Sequence, residues 1–181
     1  EVCYPYLTPE NNHIWSDMHF VNEDEGYICG RTFINDIYKS NWTYTKNGGN
    51  SWTSQSTWVS LYTPSNWSEV FFLDDQIGWK IGSYGGRGKI DITSEGVGGS
   101  WSTLYTFDSG EYIYSVFFLS DQEGWVTGRN GLIYKTTDGG LTWQAQNSGS
   151  QKNLNSIFFI DDKHACIVGS GDDQAVILHS D

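Results

Sequence analysis

The eight residues Thr136-Thr137-Asp138-Gly139-Gly140-Leu141-Thr142-Trp143 constrain this chain more than any others, because they recur. An earlier copy reads Thr45-Lys46-Asn47-Gly48-Gly49-Asn50-Ser51-Trp52, and a degraded one reads Ser94-Glu95-Gly96-Val97-Gly98-Gly99-Ser100-Trp101. A fourth begins at Leu178-His179-Ser180-Asp181, where Asp181 aligns with Asp138. The order predicts a tight hairpin: a short carboxylate or amide caps backbone N–H groups, paired glycines take positive φ, and the Trp ring packs beneath the turn. Asn47, Asp138, Gly139, Gly140 and Asp181, with the rings of Trp52, Trp101 and Trp143, are therefore expected to be structural rather than catalytic.

A second unit precedes each box. It reads Met18-His19-Phe20-Val21 with Glu25-Gly26-Tyr27-Ile28-Cys29-Gly30, then Val70-Phe71-Phe72-Leu73 with Ile77-Gly78-Trp79-Lys80-Ile81-Gly82. The third copy is Val116-Phe117-Phe118-Leu119 with Glu123-Gly124-Trp125-Val126-Thr127-Gly128, and the fourth Ile157-Phe158-Phe159-Ile160 with Ala165-Cys166-Ile167-Val168-Gly169. Anchored on Phe20, Phe72, Phe118 and Phe159, the copies lie 52, 46 and 41 residues apart, the period of a four-stranded propeller blade. Short aromatic and β-branched runs between glycines argue for strands throughout. The chain is expected to be all-β: a β-propeller of four-stranded antiparallel blades, one domain over 1–181. Its repeats lie near 17–57, 69–106, 115–149 and 156–181, the last completed by 1–7.

The ends carry a further expectation. The spacing from Trp143 to Phe159, projected back from Phe20, places Tyr4 at the box-Trp position, so Val2 to Leu7 reads as an outer strand without a blade of its own. The fourth repeat lacks that strand. Either the N-terminal strand pairs beside Val176 to His179 and closes a four-bladed ring, or the four repeats belong to a larger or dimeric propeller whose open edges support self-association.

The run from Gly124 to Trp143, with its weathered copies, resembles the Asp-box (BNR-like) repeats of the photosystem II stability and assembly factor family. The resemblance covers nearly the whole chain. It implies a propeller that binds or assembles other proteins, with an arginine-lined face. The same repeat superfamily includes secreted bacterial proteins, sorting receptors and sialidases, in which the Asp-box is only scaffold.

Charge narrows the partners. The 22 acidic and 10 basic side chains give a net charge of −12, which repels phosphate backbones and anionic membranes, so nucleic acid is excluded. No apolar run approaches the roughly 20 residues of a membrane span. The chain opens on Glu1 with no signal peptide, as a mature secreted or periplasmic protein would, and an extracytoplasmic location is expected. Cys3, Cys29 and Cys166 lack metal-ligand spacing and read as buried free thiols, so neither metal nor cofactor is expected.

Two sets of side chains are candidates for binding a protein or a glycan. Arg31 and Arg129 follow repeat-equivalent glycines and Arg87 lies slightly further along its turn, so the three arginines of the chain map to one face, suited to a carboxylate. The opposite face carries acidic first-strand loops at Asn22 to Glu25, Asp74-Asp75, Ser120 to Glu123 and Asp161-Asp162, expected to keep it solvated. The rings of Trp42, Trp58, Tyr62 and Trp67 are the alternative, a carbohydrate-binding surface. A sialidase-like hydrolase is a third reading. It needs an Arg triad, a Tyr paired with Glu, and an acid, and no such Tyr–Glu pair is placed by the repeat pattern. His13, His19, His164 and His179 have no adjacent nucleophile. His19 occupies the column of Phe71, Phe117 and Phe158, as a core or channel-lining residue would.

Overall fold

The computed structural model describes residues 12–34, 37–57, 66–171 and 174–179. They form four antiparallel sheets, one per repeat, in the order of the chain. Blade 1 comprises β1 (Asn12–Phe20), β2 (Glu25–Ile34), β3 (Ile37–Lys46) and β4 (Thr53–Thr57). Blade 2 comprises β5 (Asn66–Phe72), β6 (Gly78–Tyr84), β7 (Arg87–Thr93) and β8 (Ser102–Ser109). Blade 3 holds β9 (Ile113–Phe118), β10 (Gly124–Gly128), β11 (Ile133–Thr136) and β12 (Gln144–Gln146). Blade 4 has three described strands, β13 (Asn153–Phe159), β14 (Ala165–Gly171) and β15 (Gln174–His179).

Alternation along each strand sends two sets of side chains to opposite faces of its blade, and these faces make the core. Tyr27, Cys29 and Trp42 of blade 1 meet Trp67, Val70 and Phe72 of blade 2. Trp79, Ile81 and Ile90 then meet Ile113, Val116 and Phe118 of blade 3, with Trp79 stacked on Phe118 at 3.7 Å between centroids. Leu154, Ile157, Phe159 and Ile167 of blade 4 pack against Phe117, Leu119 and Trp125. The inner column expected around His19 is continuous: His19, Phe71, Phe117 and Phe158 follow one another with centroids 5.5, 5.1 and 5.5 Å apart.

Each inner strand carries a bulge, and in blades 1 to 3 the residue after it reaches the next blade. Asp17 accepts the Val70 N–H at 3.0 Å, Glu69 the Val116 N–H at 2.5 Å, and the Ser115 hydroxyl the Ile157 N–H at 3.2 Å. The bulge also explains the glycine that ends the second-strand motif. A Cβ on Gly128 or Gly169 would collide with the carbonyl of Tyr112 or Asn153, two residues before the neighbouring bulge.

The box hairpins form as their residues predict. Asp138 accepts the Thr142 N–H at 2.9 Å and the Thr142 and Thr136 hydroxyls at 2.6 and 2.8 Å, with Gly139 and Gly140 at φ 72° and 97°. Asn47 accepts the Ser51 N–H at 2.9 Å in the same way. In the degraded copy the cap is Glu95, which accepts the Ser100 N–H at 2.8 Å while its own N–H donates to Thr93. The motif there thus starts at Thr93, and buried Val97 is a one-residue insertion. Trp52 packs against Phe20, Trp101 against Tyr27 and Phe72, and Trp143 against Phe107 and Phe118. Asp181 lies outside the described residues.

Among the described elements, packing runs from blade 1 to 2 to 3 to 4, and no packed interface joins β1 to β13. The expected pairing of Val2 to Leu7 beside β15 falls outside the described residues.

Candidate functional site

The loop positions of the blades divide into two faces with different chemistry. On one, the box turns bond to the first-strand loops: the N–H groups of Gly48, Gly96 and Gly139 donate to the carbonyls of Asp24, Gln76 and Gln122 at 2.8 to 2.9 Å. The acidic loops on this face are largely turn-formers. Asn22, Asp74, Ser120 and Asp161, at equivalent positions, each accept two backbone N–H groups of their own loop. Among the described residues no group of three or more His, Cys, Asp or Glu side chains is arranged to hold a metal ion.

The other face is organised around the linker that joins blades 2 and 3. Gly110 N–H donates to the Gly86 carbonyl at 2.9 Å, Gly88 N–H to the Glu111 carbonyl at 2.6 Å, and Arg129 N–H to the Tyr112 carbonyl at 2.9 Å. The turns carrying Arg87 and Arg129 are therefore fixed to one three-residue stretch, and both side chains are exposed. The Arg129 guanidinium lies over the Tyr112 ring, 5.6 Å from its centroid. Arg31 is placed differently. It sits within β2, between Ile14 and Ser40, because β2 continues as a strand to Ile34 where β10 ends at Gly128.

Beside Arg129 is a recess of about 300 Å³ whose walls include Glu111, Asn130, Tyr134 and Gln146. Tyr134 donates its hydroxyl to Glu111 at 2.6 Å, a Tyr–Glu pair bridging blade 3 and the linker. The repeat pattern gives no sign of it, since the equivalent linker position before blade 4 is Lys152, which accepts the matching backbone bond from Gly131 but carries no carboxylate. The hydrogen bond to the carboxylate pushes the Tyr134 hydroxyl up to about 12, helped by burial, so it is held as a donor and not as a phenolate.

The aromatic surface is corrected by the structure. Trp42 and Trp67 are buried between blades 1 and 2, and Trp58 and Tyr62 lie outside the described residues. The two indoles, with Trp101, instead surround the ammonium of Lys80 at 3.8, 4.5 and 4.6 Å from their centroids. Lys80 is fully buried, 3.9 Å from Asp91, which is held by Lys89 at 2.9 Å. Burial pulls its ammonium down to about 7, against the opposing pull of Asp91. Lys80 falls where its repeat counterparts are the apolar Ile28, Val126 and Ile167, so the sequence marks it only as an oddity.

Glu69 is buried too, and burial raises it to about 8 despite the Val116 N–H. Burial likewise raises the Cys29 thiol. Cys29 and Cys166 are free thiols, and Cys3 lies outside the described residues. Among the described residues no helix is long and apolar enough to cross a membrane.

Residues 92–181 match the family model described as photosynthesis system II assembly factor YCF48. The chain is similar to a solved structure titled YCF48 bound to D1 peptide, at 22% identity and a TM-score of 0.62, over 93% of this chain and 55% of that one. YCF48 from Cyanidioschyzon merolae matches at 18% identity and a TM-score of 0.64, over 92% and 50%. A GH43 β-1,3-galactosidase matches at 10% identity and a TM-score of 0.54, over 86% and 40%, a likeness of fold alone. No curated protein matches the chain. The chain thus spans about half the length of these YCF48 structures. Sheets, box turns and family match agree: this chain is built of Asp-box β-propeller repeats resembling those of the photosystem II assembly factor family.

Proposed function

We propose that this chain is a non-catalytic protein-binding module of the assembly-factor kind, taking a peptide carboxylate on the face that bears Arg87 and Arg129. One observation carries the reading. Two turns bearing exposed arginines are fixed to a single linker in a protein of net charge −12, which makes that spot the natural target of an acidic group. The similar YCF48 structure solved with a D1 peptide supports a peptide as the ligand class. A hydrolase is disfavoured by Tyr134, whose hydroxyl is held protonated, and a lectin by the burial of Trp42 and Trp67.

The test is fluorescence anisotropy with labelled short peptides ending in acidic residues, against the same peptides amidated, and a glycan array in parallel. Arg129→Ala is expected to weaken the acidic peptides and flatten their salt dependence without changing the fold. Equal binding of acidic and amidated peptides, or a response confined to glycans, refutes the proposal.

A further inference from the structure

The recess beside Arg129 carries two opposite charges that do not meet. Arg129 and Glu111 both line it, and among the described residues neither is joined to an oppositely charged side chain. Each is held from another side. One oxygen of Glu111 accepts the Tyr134 hydroxyl at 2.6 Å and the other the Asp108 N–H at 2.9 Å. Two neutral donors orient a carboxylate without cancelling its charge, and both oxygens keep a lone pair for a further donor. The Arg129 turn is tied at both ends. Arg129 N–H donates to the Tyr112 carbonyl at 2.9 Å on the linker before blade 3. Toward blade 4, Gly131 N–H donates to the Lys152 carbonyl at 2.7 Å and Asn130 N–H to the Asn153 side-chain oxygen at 3.2 Å. Both charges therefore stand on pre-organised supports, so a ligand that bridges them does not have to order them first.

The remaining walls describe what fits between. Leu132, Ile133 and Ala145 give the recess an apolar side, and Asn130 and Gln146 add side-chain amides. Ala145 stands opposite Tyr134 in the β11–β12 ladder, and its single methyl leaves room that a larger residue would fill. A space of about 300 Å³ with an apolar wall and a carboxylate matches a long side chain whose stem is apolar and whose tip is a cation.

We propose that this recess is a subsite for a basic side chain, lysine or arginine, adjoining the carboxylate that Arg87 and Arg129 take, so that the ligand is a peptide end of mixed charge. The inference rests on the peptide-carboxylate reading above and narrows it. Glu111 recognises the cation, and Ile133 and Ala145 carry its stem. Because the protein has a net charge of −12, a cation is attracted to much of its surface, and the selectivity expected of the subsite is positional. Only a basic residue next to the carboxylate reaches Glu111 while the carboxylate stays on Arg129.

The experiment is fluorescence anisotropy on the full chain with four labelled peptides of one length, each ending in an acidic residue. The first carries lysine next to that residue and the second norleucine there. The third has the composition of the first with the lysine moved several residues away, and the fourth is the first with its end amidated. The first is expected to bind about tenfold more tightly than the second and third. Glu111→Gln, with folding checked by circular dichroism, keeps an acceptor for Tyr134 and is expected to erase that preference. Ala145→Phe, at an exposed position, fills the recess and is expected to erase it as well. Equal binding of the first three peptides with a weaker fourth overturns the subsite and leaves the carboxylate reading standing. Equal binding of all four, or binding by none, overturns both. A lysine preference that survives Glu111→Gln and Ala145→Phe also overturns the subsite.

Discussion

Replacing Lys80 with Met should stabilise the protein near neutral pH, and the gain should vanish in alkali. The folded state holds the Lys80 ammonium at about 7 against an ordinary 10.5, and at about 1.4 kcal/mol per pH unit this disfavours the charge by about 5 kcal/mol. The three indole faces oppose burial, with a cation–π attraction of about 2 kcal/mol for a desolvated ammonium. Burial wins: a position of about 7 is already the balance of these effects, so the net penalty is the full ~5 kcal/mol. Met keeps the volume of the stem, and Lys89 keeps Asp91 paired. The sign follows from proton uptake. Between pH 7 and 10.5 the unfolded chain carries a proton on Lys80 that the folded chain lacks, so wild-type stability rises with pH through that window. Urea unfolding of wild type and Lys80→Met at matched pH values isolates this group, because other titrations cancel in the difference. The variant should be more stable by about 4 kcal/mol near pH 7 and level with wild type near pH 10.5. A difference that does not change with pH, or a variant weaker at pH 7, refutes the reasoning.

Glu69 should act in the opposite sense: raised to about 8 by burial, it gives stability that is complete below pH 4.5 and lost as pH rises through 8, and Glu69→Gln should flatten thermal melts across that range. Asp138→Ala should lower the melting temperature and leave peptide binding in the folded fraction intact. Because hydrogen bonds from Thr142 and Thr136 lower the Asp138 carboxyl, its contribution should disappear as pH falls through that lowered value, read as a wild-type-minus-variant difference in acid melts. Trp42→Ala should cost about 3–5 kcal/mol in denaturant unfolding and leave glycan-array signals unchanged, since the indole is interior.

The repeat was legible because backbone requirements leave fixed signatures. Paired glycines at positive φ, the capping Asp or Asn and the ring beneath the turn must all sit at set spacing, so Thr45 to Trp52 and Thr136 to Trp143 announce the same hairpin. The His19 column was legible by alignment alone. Side-chain environment was less so. Trp42 and Trp67 lie in a stretch whose polarity suggests a surface, and only packing of blade 1 on blade 2 reveals them as the walls around Lys80. The inserted Val97 hides the true start of its box at Thr93, because the spacing of an intact box counted back from Trp101 lands on Ser94. The Tyr134–Glu111 pair joins a repeat position to a linker, and periodicity carries no information about such a contact.

The bonds from Asp17 to Val70, Glu69 to Val116 and Ser115 to Ile157 all run in one direction, from a side chain of one blade to the backbone of the next. The donor is a main-chain amide, which every residue other than proline supplies, so the link asks only that the preceding blade carry an acceptor of suitable reach. Asp, Glu and Ser all meet that demand. Cooperativity in such an array is one-dimensional, each module coupled to its neighbours and blind to the rest, so unfolding should begin at the ends and move inward as steps rather than as a single transition. Amide exchange ought then to be slowest at Val116, the linked amide with two blades on its preceding side, and faster at Val70 and Ile157 nearer the ends. The same locality lets a lineage gain or lose modules without renegotiating the rest of the protein.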